Sequence, residues 1–434
     1  MITNLSANEA WKAIIDKYGI CERVEKDGVF YISANQIKEF KEPRLMAKWD
    51  SSDSLPSILK EKKLNILPDS RSSYVIGDFL LYEPIPELTE KVEEMKCVRL
   101  PDYETIDVKN INSEANAINV LILSGILDDF LGSKETVETF NGRMGTGEFD
   151  FAVNTVRGKK RQVSVKNAQC EIDGGFENAE NVIIMEAKNV LHEDFHIRQL
   201  YYPYRLWERK VNKPIRLVFT IYSNMIYRLF EYEFEDLNDY SSIKLIRSKN
   251  YSLQDTTVTI EDIIDTRAKT AVIYEDNQED ESLPPFIQAD SFERVISLLE
   301  NLKDNPMTTE QIAELMDFEP RQSDYYYNAG KYLRLFEKKN EDGQKRVRLT
   351  ELGEKVFALN YKERQLKFVE LIVSHRIFAD CFDIVINNAG RQLPERGFIE
   401  NRMRELNVCN EPQINRRAGS VLGWLKWIFN LTNL

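Results

Sequence analysis

The stretch "CEIDGGFENAENVIIMEAKN", residues 170–189, combines an apolar strand pattern with charged residues. Its second half is strongly apolar, but Glu186 and Lys188 interrupt it near the end. Residues i and i+2 of a strand point to the same side, so these two share one face. Another acid, Asp173, precedes a glycine pair in the first half. If the two halves are a hairpin or neighbouring strands, all three charged side chains meet at one end of a sheet.

Two converging carboxylates form a hard-oxygen site of the kind that Mg²⁺ uses, and Mn²⁺ is a substitute of similar chemistry. The Lys188 ammonium would then lie beside a metal-bound water or a phosphate. This set is equipped for metal-assisted phosphodiester hydrolysis. Two alternatives stay open. Glu171 and Asp150 compete with Asp173 as the first metal ligand, although Gly174 and Gly175 favour Asp173 because they would let the backbone turn close to the metal. Glu186 with Lys188 can instead be a salt bridge on a solvated strand face.

Composition restricts the class of protein. The chain has 434 residues, 42% of them hydrophobic, which suits two or three domains with real cores. No apolar run reaches the roughly 18 residues of a membrane span, and the N-terminal helix pattern lacks the features of a signal peptide. Five cysteines without a CxxC pair indicate reduced thiols, so we expect a cytoplasmic protein. A net charge of −13 argues against coating of nucleic acid by the whole chain, although it permits a local basic groove.

The order of patterns predicts three parts of an α/β (α+β) protein. Residues 1–95 mix helix and strand, and we expect them to contribute to DNA recognition. In 96–273 a helical stretch over 112–132 is followed by several strands, one of them over 160–173, and by one further helix, which indicates a mixed β-sheet flanked by helices. Residues 274–286 are an acidic linker with two prolines, and 287–434 are mainly helical.

The last part begins with three short helix patterns, over 291–304, 308–318 and 322–339, and the last two have the spacing of a helix–turn–helix. A hairpin centred on "EDG" (341–343) supplies a wing. In such folds the second helix enters the major groove of DNA. Many winged helices bind proteins or dimerise instead, and that alternative stays open. The DNA-contacting residues predicted here are Gln322, Ser323, Asp324, Tyr326, Tyr327 and Lys331 on the second helix, with Arg346 and Arg348 on the wing.

One pattern in the chain resembles the PD-(D/E)XK nuclease motif: Asp173 is followed by twelve residues and then by Glu186-Ala187-Lys188. Ile172 stands in place of the proline of that motif. The whole chain resembles bacterial type II restriction endonucleases that place this core between an N-terminal domain and a C-terminal winged helix. The resemblance implies a restriction-endonuclease-like core, with metal held by Asp173, Glu186 and Ala187. It also implies sequence-specific cleavage of double-stranded DNA and a companion methyltransferase in the host.

Helices beside the motif contribute further candidate residues of the active site. Glu114 precedes the strands and is either an ordinary helix acid or a ligand of metal-bound water. Gln199 follows Arg198 after the E-x-K strand and either touches metal water or phosphate or packs locally. We expect His192 and His196 to be exposed helix residues rather than zinc ligands.

The stretch "YYPYRLW" (201–207) is aromatic enough to stack on bases, but Tyr and Trp at helical spacing are more often in the core, where we expect them. Pro203 is expected to bend or end this helix.

Cleavage of both DNA strands by one such site predicts a homodimer, at least on DNA. Two other functional classes remain open. One is a repair or recombination nuclease without sequence specificity. The other is a non-catalytic regulator that binds DNA through the winged helix.

Overall fold

A computed structural model describes residues 5–88, 91–95, 100, 103–108, 110–279, 284–388 and 391–433. The helices are Ala7–Tyr18 (α1), Ile20–Asp27 (α2), Ala34–Lys38 (α3), Arg44–Ala47 (α4), Ser57–Lys62 (α5), Glu114–Leu123 (α6), Ile126–Leu131 (α7), Arg198–Trp207 (α8), Ile260–Lys269 (α9), Phe292–Leu302 (α10), Thr309–Leu315 (α11), Pro320–Tyr332 (α12), Glu351–Phe357 (α13), Tyr361–Val373 (α14), Arg376–Asn387 (α15), Arg396–Glu405 (α16) and Glu411–Asn430 (α17). No helix among these ranges is long and apolar enough to cross a membrane.

The strands are Phe30–Ser33 (β1), Asn65–Pro68 (β2), Ser73–Gly77 (β3), Tyr82–Pro84 (β4), Val92–Glu94 (β5), Val137–Gly145 (β6), Glu148–Asn154 (β7), Lys160–Lys166 (β8), Gln169–Glu177 (β9), Val182–Lys188 (β10), Asp194–His196 (β11), Ile215–Ser223 (β12), Ile226–Phe234 (β13), Ile243–Ser252 (β14), Phe336–Glu341 (β15) and Gln344–Leu349 (β16). Short 3-10 turns cover Ser52–Ser54, Tyr240–Ser242 and Leu431–Asn433.

The N-terminal part packs helices α1 to α5 around a three-stranded antiparallel sheet in the order β1-β3-β2. Helix α1 begins with a capping box, in which Ser6 and Glu9 each bond the other's backbone N–H. It ends at Gly19, whose left-handed backbone (φ 55°) suits glycine. Trp11 is fully buried, and its indole N–H donates to the Met46 carbonyl at 3.0 Å. These contacts attach the residues just before Lys48 to the N-terminal core.

The central part is a seven-stranded sheet in the order β5-β14-β13-β12-β10-β9-β6. Strand β10 runs parallel to β12, β14 runs parallel to β5, and the other pairs are antiparallel. Helix α8 packs on one face, and α6 with α7 packs on the other. The prediction of a mixed sheet flanked by helices is therefore confirmed. The aromatic stretch of α8 also lies in the core, since Tyr201 and Tyr202 are fully buried.

Several local predictions differ from the structure. The helix pattern over 112–132 forms two helices, because Gly125 adopts a left-handed backbone (φ 74°) between them. The strand pattern over 160–173 is divided between β8 and β9, with Asn167 left-handed (φ 61°) at the turn. Pro203 does not end α8, which continues to Trp207. Strands β6 and β14 have no matching sequence prediction, because both are rich in polar residues; β6 is largely exposed, and most of β14 is half-buried or buried.

The C-terminal part is helical except for the β15–β16 hairpin, as the sequence predicts. Helices α10 and α11 lie within the patterns predicted over 291–304 and 308–318. Helix α12 begins two residues before the third pattern, 322–339, and ends at Tyr332, because β15 occupies the last part of that pattern. The hairpin turns at Asp342 (φ 51°) and Gly343 (φ 78°). Met307, between α10 and α11, bridges to Val347 of β16. The predicted linker over 274–286 contains a buried acid, Asp276, which accepts a hydrogen bond from Tyr332 at 2.6 Å. This segment is therefore packed against the C-terminal core at that point.

Candidate active site

Strands β9 and β10 bring Asp173 and Glu186 together. Their antiparallel register pairs Ile184 with Gly175 and Met185 with Gly174, so the next position places Asp173 beside Glu186. Asp173 Oδ2 accepts a hydrogen bond from the backbone N–H of Ala187 at 3.0 Å. The predicted pairing of the two sequence segments is therefore confirmed.

The glycine pair after Asp173 has a different role from the expected one. We expected Gly174 and Gly175 to let the backbone turn close to a metal. Both lie inside β9, where a Cβ on Gly174 would lie 2.7 Å from the Phe176 ring and one on Gly175 would lie 2.3 Å from the Phe140 ring. Glycine is therefore required because aromatic rings pack directly on the strand.

Lys188 and Gln199 both bond the Glu186 carboxylate. The Lys188 ammonium donates to Glu186 Oε1 at 2.6 Å, and the amide nitrogen of Gln199 donates to the same oxygen. Glu114 Oε1 of α6 lies 3.9 Å from the Lys188 ammonium. Only 8% of the Glu186 side chain and 13% of the Lys188 side chain are exposed. A solvated strand face is therefore the wrong interpretation of this pair.

Burial, together with the charge of Asp173, raises the pKa of Glu186 well above its usual range. Burial alone would lower the pKa of Lys188, but the carboxylates of Glu186, Glu114 and Asp173 outweigh it and raise that pKa well above the usual value. Burial also raises the pKa of Glu114. Lys188 is therefore held as a cation within a group of carboxylates whose ionisation depends on nearby positive charge.

The two acids that compete with Asp173 as the first metal ligand lie away from Glu186. Glu171 is exposed on β9, and its carboxylate pairs with Arg143 of β6 at 3.2 Å. Asp150 is exposed on β7, which belongs to the separate two-stranded β7–β8 sheet. Asp173 is consequently the acid that shares the end of the sheet with Glu186.

The segment after α4 adds two charged residues that our sequence predictions omitted. Asp50 Oδ1 lies 3.3 Å from the Arg198 guanidinium of α8, and Lys48 lies 3.6 Å from the other Asp50 oxygen. Although burial would raise the pKa of Asp50, the charges of Arg198, Lys188 and Lys48 outweigh it and lower that pKa. The only sequence signal is the charge-rich "KWD" (48–50), which does not indicate proximity to residues more than a hundred positions away.

Lys188 and Glu114 open into a cleft of about 980 Å³ between the N-terminal and C-terminal parts. The N-terminal wall is basic and the C-terminal wall is mostly acidic. The charged residues lining them are Lys41, Arg44, Lys48 and Asp50 on the N-terminal side, with Glu310, Glu314, Asp317, Glu319 and Arg321 on the C-terminal side.

His192 and His196 are buried, with 5% and 3% of their surfaces exposed, so the expectation of exposed helix residues is wrong. His192 lies in a loop and His196 in β11. Burial, reinforced by the charges of Arg294 and Lys188, lowers the pKa of His192 to about 3. Burial likewise lowers the pKa of His196 well below its usual value. Both rings are therefore neutral parts of the core near physiological pH.

In the part of the chain that the structure describes, no group of three or more His, Cys, Asp or Glu side chains is placed to hold a metal. The oxygen donors at the end of the sheet are two carboxylates, from Asp173 and Glu186, and the neighbouring Ala187 carbonyl. The amide oxygen of Gln199 is also buried, with no hydrogen-bond partner among the described residues. These are hard oxygen donors, and Mg²⁺ is commonly held by one or two carboxylates with waters and phosphates completing its shell.

The predicted DNA-reading helix, α12, presents a different face from the expected one. Ser323, Tyr326 and Tyr327 are buried, so the prediction that they contact DNA is wrong for this fold. Gln322 is half-buried, whereas Lys331 is exposed. The outer face of α12 also contains Arg321 and Asp324.

The two arginines of the hairpin have partners within the protein. Arg346 donates to the Pro306 carbonyl at 3.0 Å and to Gln311 at 3.2 Å. Arg348 pairs with Glu337 at 3.2 Å and with Glu341 at 3.3 Å. Both are half-buried, so contact with phosphate would require exchange of these partners.

Comparison with known families gives three matches, each to a domain of unknown function. They cover residues 8–76 (DUF6996), 77–252 (DUF6997) and 294–433 (DUF7226). No curated protein and no solved structure matches the chain.

The cleft draws residues from all three matched regions. Lys188 and Glu114 belong to the central match, Asp50 to the N-terminal one and Asp317 to the C-terminal one. The site is therefore assembled across the whole chain.

Proposed function

We propose that the protein is a Mg²⁺-dependent endodeoxyribonuclease of restriction type, which hydrolyses phosphodiester bonds of double-stranded DNA at a specific sequence. The observation that carries this proposal is the convergence of Asp173, Glu186 and Lys188 on adjacent strands at the edge of a partly basic cleft. It agrees with the order expected for a PD-(D/E)XK core.

Asp173, Glu186 and the Ala187 carbonyl would hold Mg²⁺. The bound ion supplies Lewis acidity toward the scissile phosphate. Lys188 keeps a positive charge beside the phosphate, where negative charge develops as water attacks phosphorus and the sugar oxygen leaves. Gln199 fixes the orientation of the Glu186 carboxylate through its amide hydrogen bond. Glu114 lies on the other side of Lys188 and helps to keep the ammonium protonated.

DNA recognition is proposed to involve the C-terminal part. The order of α10, the Met307 bridge, α11, α12 and the β15–β16 hairpin supports a winged helix. In that arrangement the exposed face of α12, with Arg321 and Lys331, would approach the major groove. The basic N-terminal wall of the cleft would contact phosphates near the active site.

We propose that the protein acts as a homodimer on DNA, because one such site cuts one strand and a two-fold pair of subunits matches a palindromic target. A host that contains such an enzyme needs a companion DNA methyltransferase to protect its own sites. Location in the cytoplasm follows from the same proposal.

The test is incubation of the purified protein and Mg²⁺ with a long DNA of known sequence. We expect discrete fragments, and replacement of Mg²⁺ by Ca²⁺ should permit binding without cleavage. A continuous smear would indicate a nuclease without sequence specificity. Specific binding with no cleavage in Mg²⁺ or Mn²⁺ would indicate a regulator instead.

Alanine substitutions distinguish the residues of the proposed active site from neighbouring charged residues. Asp173→Ala, Glu186→Ala or Lys188→Ala should each nearly abolish cleavage while DNA binding in Ca²⁺ persists. Glu171→Ala is the matched control, because this acid lies two residues from Asp173 but pairs with Arg143 at the surface. Normal cleavage by any of the three site variants would remove that residue from the proposed machinery.

A further inference from the structure

We infer that Asp50 is a positioning residue of the active site, which acts through Arg198 to hold Gln199 against the Glu186 carboxylate. The inference rests on the proposed nuclease function, and it assigns a role to the N-terminal part in catalysis. Asp50 lies outside the central sheet, in the segment that follows α4.

Asp50 is tied to the start of α8 by two contacts. Its carboxylate accepts a hydrogen bond from Arg198 at 3.3 Å, and its backbone carbonyl accepts one from the His196 N–H at 2.9 Å. Only 11% of the Asp50 side chain and 15% of the Arg198 side chain are exposed, so the pair is largely shielded from solvent screening. Loss of one partner would leave the other charge buried and unpaired.

Arg198 and Gln199 are the first two residues of α8, where backbone N–H groups have no partner within the helix. The first turn of a helix therefore depends on contacts from outside to fix its position. Gln199 donates to Glu186 from this turn. A change at Asp50 that releases Arg198 would consequently alter the orientation of Gln199 without touching the catalytic carboxylates.

The residues after Asp50 are anchored to the catalytic part as well. Ser51 Oγ and the Ser52 backbone N–H donate to Asp194 Oδ1 at 3.0 Å and 2.8 Å, and the Ser52 hydroxyl donates to its other oxygen. Asp194 belongs to β11, immediately before α8. The segment is therefore held at several points, which gives Asp50 a fixed position against Arg198.

The same segment also contacts the C-terminal part. Asp53 lies 2.7 Å from the guanidinium of Arg294 in α10, a side chain that is only 3% exposed. That guanidinium lies 5.3 Å from the centre of the Phe318 ring, which stacks on Tyr326 of α12 at 4.8 Å. A continuous set of contacts thus connects the helix proposed to read DNA with the residue that holds α8.

The test compares Asp50→Asn, Asp50→Glu and the control Asp78→Asn. Asp78 is also a buried acid paired with an arginine, Arg157 at 3.7 Å, but it does not line the cleft. Substitution of groups that orient an active-site ligand commonly reduces activity by about 10–100-fold. We expect kcat of Asp50→Asn to fall in that range with little change in KM or in DNA binding in Ca²⁺. Asp50→Glu should recover part of kcat, and Asp78→Asn should cleave normally.

A double-mutant cycle tests whether Asp50 acts through Gln199. In a Gln199→Ala background, Asp50→Asn should have much less effect on kcat than it has in the wild type. Additive effects would overturn the inference, as would an unchanged kcat in Asp50→Asn or a loss confined to KM.

A second measurement is independent of cleavage. Hydrogen exchange of a peptide covering 197–200 should be faster in Asp50→Asn than in the wild type, while exchange in β10 stays unchanged and Asp78→Asn matches the wild type at both. Unchanged exchange at 197–200 would overturn the inference. Failure of the wild type to cut any DNA would refute the proposed function, while the exchange result would still decide whether Asp50 positions α8.

Discussion

Replacement of Asp317 by asparagine should make the free energy of unfolding of the protein less dependent on pH. Asp317 follows α11 in the cleft, and its carboxylate lies 3.9 Å from the His192 ring. Its backbone is left-handed (φ 49°), a conformation in which asparagine is also well tolerated, so Asp317→Asn removes the charge with little backbone strain. Burial, together with the like charge of Asp50, raises the pKa of Asp317 to about 7.

The expected magnitude follows from linkage between protonation and folding. An acid with a pKa of 3.8 when unfolded and about 7 when folded binds its proton more tightly in the folded state. Its ionisation therefore lowers the free energy of unfolding progressively as pH rises from 3.8 to about 7. Above about pH 7 the free energy of unfolding falls no further from this cause. Between about pH 5 and pH 7, a span of two pH units, the free energy of unfolding should fall by roughly 2–3 kcal/mol, at about 1.36 kcal/mol per unit.

The assay is urea unfolding of the wild type and Asp317→Asn at about pH 5, 6, 7 and 8. The stability of the variant relative to the wild type should increase over the lower part of this range by roughly 2–3 kcal/mol and then level off. Asp324→Asn is the control, because this acid is exposed on α12 and pairs with Lys338 at the surface. A difference that is constant with pH, or that grows as pH falls, would refute the reasoning.

Three further predictions concern packing, DNA contact and assembly. Trp424→Ala should lower the free energy of unfolding by roughly 3–5 kcal/mol, measured as a lower urea midpoint, because this ring is fully buried between Phe292 and Phe378. Arg321→Ala with Lys331→Ala should flatten the log–log salt dependence of DNA binding, measured by fluorescence anisotropy, by roughly 0.9 per lost phosphate contact. An unchanged slope would assign this face to another partner. Light scattering in Ca²⁺ should give a dimer on a short cognate duplex, and a one-to-one complex that still makes double-strand breaks would contradict it.

The residues of the proposed active site could be predicted from sequence because their geometry is local. Alternation along one strand places Glu186 and Lys188 on one face, and a single hairpin register adds Asp173. Asp50 and Asp317 had no such signal. Each lies more than a hundred residues from Lys188 and reaches the cleft through domain packing, which leaves no periodic pattern in the chain.

The error at α12 has an identifiable physical cause. Ser323, Tyr326 and Tyr327 follow a spacing of three and four residues, which is the spacing of a buried helical face. We interpreted hydroxyl-bearing side chains as DNA contacts although their period indicated the core. The histidines show a related error, because a spacing of four residues was interpreted as helical, whereas His192 and His196 lie in a loop and a strand.

The charge of the cleft bears on how an acidic chain would act on DNA. Exposed charges separated by more than about 8–10 Å are largely screened at physiological ionic strength, so the net charge of −13 matters less than the two walls beside Lys188. Phosphates would be attracted to the wall with Lys41, Arg44 and Lys48, while the acidic residues opposite would repel them. A DNA strand in this cleft would therefore lie with its backbone toward the N-terminal part. Asp50 lies on that same wall, so substrate binding and the positioning of α8 would act on the same segment.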